Sequence, residues 1–473
     1  MLLKAKKKVD KIIIPVREGN YGKRILAVEP GGTEFIPTSQ RHGNPLRLFW
    51  TWNSPNWEFA TLFVGVVPVV IFGGSFWLTA LGIMLGSLLG ACVVGIFSSW
   101  GPKLGVPQMI QSRSAFGYVG NIFPSGLNAI TVGVGWFAIN SITGAFALSS
   151  FSNLSFQISL IIITFIQALV AFIGHNFIHQ FEKFMFPILA IIFTTSSMII
   201  FTQANLAQGF NQSAPLAFGG SLGAFIIAFS ISFAYAGGWA PYSMDYSRYL
   251  PRNTRSSRVF WATMLGIFLP CLVLQVAGAA LATIPTTSWG PSDNPVSQMV
   301  KILPSALGLL TLLSITLGGI SANALNIYTG AMSFLATGIK LGGLKWQRGI
   351  VTVIFGIIGY LVARMGEVDF GRSYENFLLV LTYWIAPYLG VILTDFWLQK
   401  GKYDIVSFYN KAYTPKKGLI AMIAGIVMSI PFWNQALWHG PVVDLAPQLG
   451  DLSFLVGFFV SSLTYYLFKT RLK

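Results

Sequence analysis

Apolar runs of bilayer length, separated by short polar breaks, occupy most of this chain. A run of about 20 apolar residues suffices to carry a helix across the hydrocarbon core of a membrane. Such runs lie at 57–76, 78–100, 121–150, 155–174, 184–202, 221–247, 258–284, 304–337, 349–364, 376–398, 418–433 and 452–468. They predict an all-α polytopic membrane protein with about 12 transmembrane helices, called spans 1 to 12 below. Spans 3, 6 and 8 are longer than a crossing requires.

Two spans carry breaks in the pattern. Asn53-Ser54-Pro55-Asn56 stands where span 1 begins, and Gly237-Gly238-Trp239-Ala240-Pro241 interrupts span 6. Broken backbone at membrane depth survives only where it is buried in protein or lines a cavity. Interrupted segments in corresponding positions of two halves point to a transporter's central site. The breaks fall five spans apart, so spans 1–10 read as a five-plus-five inverted repeat. An odd number of helices per unit forces the two units into opposite orientations. The expected organisation is a cytoplasmic N-terminal arm (1–48), a ten-helix transport core (49–410) and two additional C-terminal helices (411–473).

Composition agrees with a membrane location. Hydrophobic residues make up 54% of the 473 and charged residues only 10%, against about 25% charged in soluble domains. The net charge of +16 would suit nucleic acid, but its placement points to the bilayer instead. With the amino terminus inside, only Lys301, Arg364 and Arg372 of the 31 Lys and Arg fall outside cytoplasmic segments. That is the positive-inside distribution. It predicts a multi-pass protein of the cell membrane with both termini cytoplasmic and an even helix count. Anionic lipid is a secondary attraction for the same charges. Cys92 and Cys271 sit singly inside spans and suggest neither a disulfide framework nor a metal site. The polar first 50 residues show no signal peptide.

Four stretches carry a family resemblance. They are Gly101-Pro102-Lys103-Leu104-Gly105 continuing through Gln108-Met109 to Ser112-Arg113-Ser114-Ala115-Phe116-Gly117; Gly135-Trp136 with Asn140; Gly237-Gly238-Trp239 followed by Asp245-Tyr246-Ser247-Arg248-Tyr249; and Tyr383-Trp384-Ile385-Ala386-Pro387 running to Asp395-Phe396. In this order and spacing the chain resembles the nucleobase:cation symporter family, in its purine–cytosine permease branch, over roughly residues 45–410. The resemblance implies import of a flat heterocycle by alternating access. The driving ion would be sodium or protons, and no other cofactor is implied.

A flat ring with a polar edge needs aromatic faces and an amide or carboxylate beside them. Trp136 and Asn140 are four apart and share a helix face, so one can stack while the other bonds the edge. Read blandly, they are a packing residue and an interhelical amide. Trp239 follows the span 6 break and offers a second face, and freed backbone at Gly237 and Gly238 can bond a ligand. The bland alternative there is a kink needed for packing. Asn323 and Asn326 form a polar island in span 8, where amides also serve as helix–helix glue. The resemblance matches Trp136, Asn140, Trp239 and Asn326 to substrate residues, and places Thr61 near the substrate.

For the cation, the resemblance points to carbonyls of Asn56 and Ala60 facing two hydroxyl side chains in span 8. Here that pair is Ile320 and Ser321, and Ile320 supplies no oxygen, which leaves sodium in doubt. Glu58, an ionisable residue beside the span 1 break, is a coupling candidate by default. It can equally sit inert at the headgroup boundary. Asp245 and Asp395 read as structural. His175 and His179, four apart, fall in the short loop after span 4 without a zinc-protease pattern, so no metal site is expected.

The expected partners are therefore a small heterocycle, a coupling cation and lipid. Allantoin, hydantoin or a thiamine-precursor pyrimidine would fit the same two tryptophans as well as cytosine or a purine. A channel or an integral-membrane enzyme is the alternative of another class. An enzyme should cluster His, Asp or Glu within the bundle, and no Walker or dinucleotide pattern is present.

Overall fold

The apolar runs form helices, and the two anomalous ones are broken. The computed structural model describes residues 14–17, 25, 28–29, 32–291, 293–339, 341, 346–366, 369–435 and 437–471. Among these, nine helices are long and apolar enough to cross a membrane. Two shorter apolar helices, Phe59–Val70 and Lys417–Phe432, belong to spans 1 and 11. Span 12 is the 18-residue helix Ser453–Thr470.

Span 1 departs from the sequence reading in one respect. Its break lies within the segment and not at its start, because residues Leu46–Asn53 already form a half-helix before it. The polar run from Asn53 to Asn56 had masked that half-helix. A tight turn at Ser54–Asn56 follows, Trp57 and Glu58 leave helical geometry, and the helix resumes at Phe59–Val70. In span 6 the helix Gly220–Gly237 passes into a 3-10 turn at Ala240–Tyr242 and a last turn at Met244–Ser247. Pro241 has no N–H to continue the ladder, and it sits where the turn tightens.

Close helix approach explains several of the glycines. A Cβ on Gly65 would lie 1.7 Å from the Gln275 carbonyl oxygen, and one on Gly278 would lie 1.8 Å from that of Leu62. Spans 1 and 7 therefore cross backbone against backbone, which draws the broken span into the bundle. Span 3 carries a π-helical stretch at Thr131–Trp136 before the α-helix Phe137–Ser152. Such stretches mark functional positions more often than chance, and this one ends on Trp136.

At one face of the bundle the described part of the N-terminal arm is folded against the helix ends. Val16 and Phe35 pair in a parallel bridge, and Ile36 N–H donates to the Gly105 carbonyl at 2.9 Å. The family-like loop from Gly101 to Gly117 is anchored from two sides. The Asp245 carboxylate accepts from the Gln108 N–H at 3.0 Å, and Asp395 accepts from the Ser114 hydroxyl at 2.7 Å. Both aspartates thus hold the loop to spans 6 and 10.

Candidate functional site

Glu29 is the centre of a buried charged cluster under the arm. Its carboxylate pairs with Arg17 and accepts from the Tyr249 hydroxyl, from the His175 N–H at 2.9 Å and from the Tyr328 hydroxyl at 3.3 Å. Arg248 donates to Tyr249 at 3.0 Å and to the Gly32 carbonyl at 3.1 Å, and Arg348 ties down the Ala171 and Phe172 carbonyls. Burial alone would push the Glu29 carboxyl up. The Arg17, Arg348, His175 and Arg248 charges outweigh it and hold Glu29 well below the usual carboxylate range. This cluster joins the arm to spans 5, 6 and 8 and closes the bundle at that face. On the opposite face a cavity of about 390 Å³ opens between Phe63, Leu216, Trp289, Asp293 and Phe370.

Between the two lies a small cavity of about 10 Å³ lined by Glu58, Trp136, Asn140, Tyr235, Trp239, Tyr242 and Asn326. It has room for about one water and not for a ring, so a ring enters only if the side chains rearrange. Four of the residues expected from sequence to meet substrate converge here, from spans 3, 6 and 8. Trp136 packs edge-on to Tyr235 (ring centroids 5.2 Å apart) and Phe377 (5.0 Å). Trp239 donates its indole N–H to Asn56 Oδ1 at 3.2 Å, and Asn56 is itself fixed by donating to the Trp52 carbonyl at 2.7 Å. The half-helix that sequence reading missed thus positions the second aromatic face.

Three expected residues lie behind this wall. Thr61 hydrogen-bonds the Tyr235 hydroxyl at 2.5 Å, and Tyr235 also donates to Glu58 Oε1 at 3.0 Å. The Gly238 N–H still donates to the Ala234 carbonyl at 2.8 Å, so the break does not free it. Asn323 forms the hub of an amide network described below. Glu58, read from sequence as a coupling group or a headgroup residue, is buried (2% exposed) in the central cavity.

Two of the oxygens expected around a cation have protein partners. The Ala60 carbonyl accepts from Tyr374 at 2.9 Å. Ser321 donates to the Glu182 carboxylate and lies 3.2 Å from the Ser54 hydroxyl. Ile320 is buried and apolar. Glu182, fully buried in span 5, escaped the sequence reading because the span was drawn from residue 184, two positions late. Its Oε1 has no hydrogen-bond partner. His175 and His179 lie in the first turns of the helix His175–Gln203 and not in a loop. His175 stacks on Tyr249 with ring centroids 3.8 Å apart, and His179 bonds the Thr51 hydroxyl at 2.6 Å.

Comparison with known proteins agrees with this geometry. The family pattern for "Permease for cytosine/purines, uracil, thiamine, allantoin" matches residues 35–457. YxlA of Bacillus subtilis is 31% identical over 458 residues, covering 95% of this chain and 97% of the relative. The purine-cytosine permease fcyB of Emericella nidulans is 26% identical over 456 residues, covering 93% and 88%. Among solved structures, Mhp1, a nucleobase-cation-symport-1 family transporter in a closed conformation with bromovinylhydantoin bound, superposes with a TM-score of 0.71 at 18% identity, covering 92% of this chain and 93% of that one. Its inward-facing form gives a TM-score of 0.69 at 16% identity, covering 94% of each chain. These solved structures share the fold of the present chain. The expected all-α polytopic class and the resemblance are borne out: this chain is a polytopic membrane permease, not an enzyme, and belongs to the family of permeases for cytosine, purines, uracil, thiamine and allantoin.

Proposed function

We propose that this protein imports a nucleobase or a closely related flat heterocycle by ion-driven alternating access. The observation that carries this reading is the central cavity. Two tryptophans from different spans, Trp136 and Trp239, meet Asn140, Asn326 and Glu58 beside the span 1 and span 6 breaks. Ring stacking contributes ~1–3 kcal/mol per contact, and each net hydrogen bond about 1 kcal/mol. Two faces and two bonds therefore approach the ~8 kcal/mol of micromolar affinity. Transport proceeds as the arm face opens while the opposite cavity closes. The distribution of Lys and Arg supports a cytoplasmic position for the arm.

The test is ligand-induced stabilisation of the purified protein by cytosine, adenine, guanine, hypoxanthine, uracil, allantoin and hydroxymethylpyrimidine. A ligand at 100 times its dissociation constant stabilises the folded state by ~2.7 kcal/mol. A rise in Tm with one or two of these rings is expected. No shift with any of them, in folded protein, would refute the reading.

Protons are the coupling ion this chemistry favours. A hard cation wants several oxygen ligands, and the expected set lacks one at Ile320 and has others committed to Tyr374 and Glu182. The Glu182 carboxyl bridges span 5 to Ser321 of span 8, and Ser321 in turn meets Ser54 at the span 1 break, so movement of span 1 against span 8 changes its surroundings. In proteoliposomes, Glu182→Gln is expected to abolish concentrative uptake driven by a pH gradient while sparing exchange of labelled for unlabelled substrate. Uptake driven by a sodium gradient at constant pH would contradict proton coupling.

A further inference from the structure

The amides around the cavity are oriented by a chain of hydrogen bonds that begins on backbone. Gln167 donates its Nε2 to the Gly319 carbonyl at 3.1 Å, which leaves its Oε1 to accept. That oxygen takes Ser141 Oγ at 2.7 Å and Asn323 Nδ2 at 3.0 Å, and Asn323 Nδ2 also reaches the Phe137 carbonyl at 2.9 Å. A carbonyl can only accept, so the orientation of each amide follows from the last. Asn323 therefore turns its Oδ1 toward the cavity layer, where it accepts from Asn140 Nδ2 at 3.1 Å and Asn326 Nδ2 at 3.2 Å. One N–H of each amide is thereby used. Asn140 Oδ1, Asn326 Oδ1 and Glu58 Oε2 are buried without a partner, and all three belong to residues lining the cavity.

Buried polar atoms in native structures are almost always satisfied. Three such acceptors around one small cavity therefore call for a donor-rich ligand. Some of the side-chain donors on the lining are already engaged. The Trp239 indole N–H is held by Asn56, and the Tyr235 hydroxyl is shared between Glu58 and Thr61. The indole N–H of Trp136, the Tyr242 hydroxyl and the second amide N–H of Asn140 and of Asn326 are the others.

We infer that this site selects heterocycles bearing an exocyclic amino group, and that Glu58 is the specificity-determining residue that reads it. The inference rests on the nucleobase reading above and narrows it. The unpaired Glu58 oxygen, with the amide oxygens of Asn140 and Asn326 around the same cavity, accepts from an amino group and an adjacent ring N–H, the edge of a 2-amino-6-oxopurine being the fullest match. A ring that presents a lone pair there leaves the acceptors unpaired, which is the costly case.

The test uses pairs that differ only by the amino group: guanine with hypoxanthine, adenine with purine, and cytosine with 2-pyrimidinone. Equilibrium binding to the full-length protein is measured, so that any change in ion coupling does not enter. Leaving a buried acceptor unpaired corresponds to about 10- to 100-fold in affinity, and the amino member of each bound pair is expected to be tighter by that factor. In Glu58→Gln, which offers an N–H₂ at the same place, the ratio is expected to fall to about threefold or less. Equal affinities within the pairs in the native protein would overturn the inference while leaving the nucleobase reading intact. An undiminished amino preference in Glu58→Gln would overturn the role of Glu58. Failure of every ring to bind would overturn both readings together.

Discussion

Glu29→Gln is expected to be the most destabilising single substitution outside the transport site. Removing one partner of a buried ion pair costs about 3–5 kcal/mol, because the other charge stays buried without compensation. Here Arg17 (4% exposed), Arg248 (0%) and Arg348 (1%) surround the carboxylate, so the change from −1 to 0 leaves several guanidinium groups facing one another. Glutamine keeps the shape and can still accept from Tyr249, so a defect would report the charge and not a void. The expected result is a lower thermal midpoint together with faster protease cleavage within the first 48 residues. Unchanged cleavage and midpoint would show that the arm is held by its other contacts, such as Ile36 on Gly105 and Arg41 on the Pro102 carbonyl.

The pH dependence of this cluster has a definite sign. Glu29 titrates below its ordinary value of 4.5 in the folded protein, since the surrounding arginines favour the charged form. A depressed carboxylate contributes stability that is fully present above the unfolded value and declines as pH falls below it. Arm protection is therefore expected to hold at neutral pH and to weaken below about pH 4.5, whereas Glu29→Gln protein should show no such step.

Trp136→Ala carries the largest expected effect on transport. Loss of one stacking face, at ~1–3 kcal/mol, raises the dissociation constant about 5- to 150-fold. The side chain also supports Tyr235, Tyr374 and Phe377, and Tyr235 in turn holds Glu58. Uptake should therefore lose saturable behaviour in the micromolar range while the protein still inserts. Trp136→Phe keeps a face and is expected to recover most of the affinity. If Trp136→Ala and the native protein took up substrate with the same KM, the stacking role would fail. The neighbouring Trp239 is held at its indole N–H by Asn56, so its substitution mixes loss of a face with release of the span 1 break.

Helix identity and membrane class were legible without a structure. Apolar runs of bilayer length have one outcome in lipid, because every backbone group must be bonded internally. The breaks were legible for the same reason: Pro55, Gly237-Gly238 and Pro241 conflict with a continuous ladder wherever they are placed. The four-residue spacing of Trp136 and Asn140 announced a shared face, and that face does border the central cavity. Local pattern cannot show which atoms are already spent. Asn56 drew notice for its backbone carbonyl, whereas its side chain fixes Trp239. Asn140 and Asn326 looked able to donate or accept, and a network rooted in the Phe137 and Gly319 carbonyls takes one N–H of each and leaves both Oδ1 atoms as free acceptors. Glu58, Glu182 and Glu29 are three carboxyl groups of one residue type. Their differing surroundings (a central cavity, two hydroxyls, a nest of arginines) come from partners up to 299 positions away in the chain. Periodicity is a property of neighbours in sequence and decides secondary structure. Donor, acceptor and charge balance at a buried atom depend on neighbours in space, which only the packed bundle brings together.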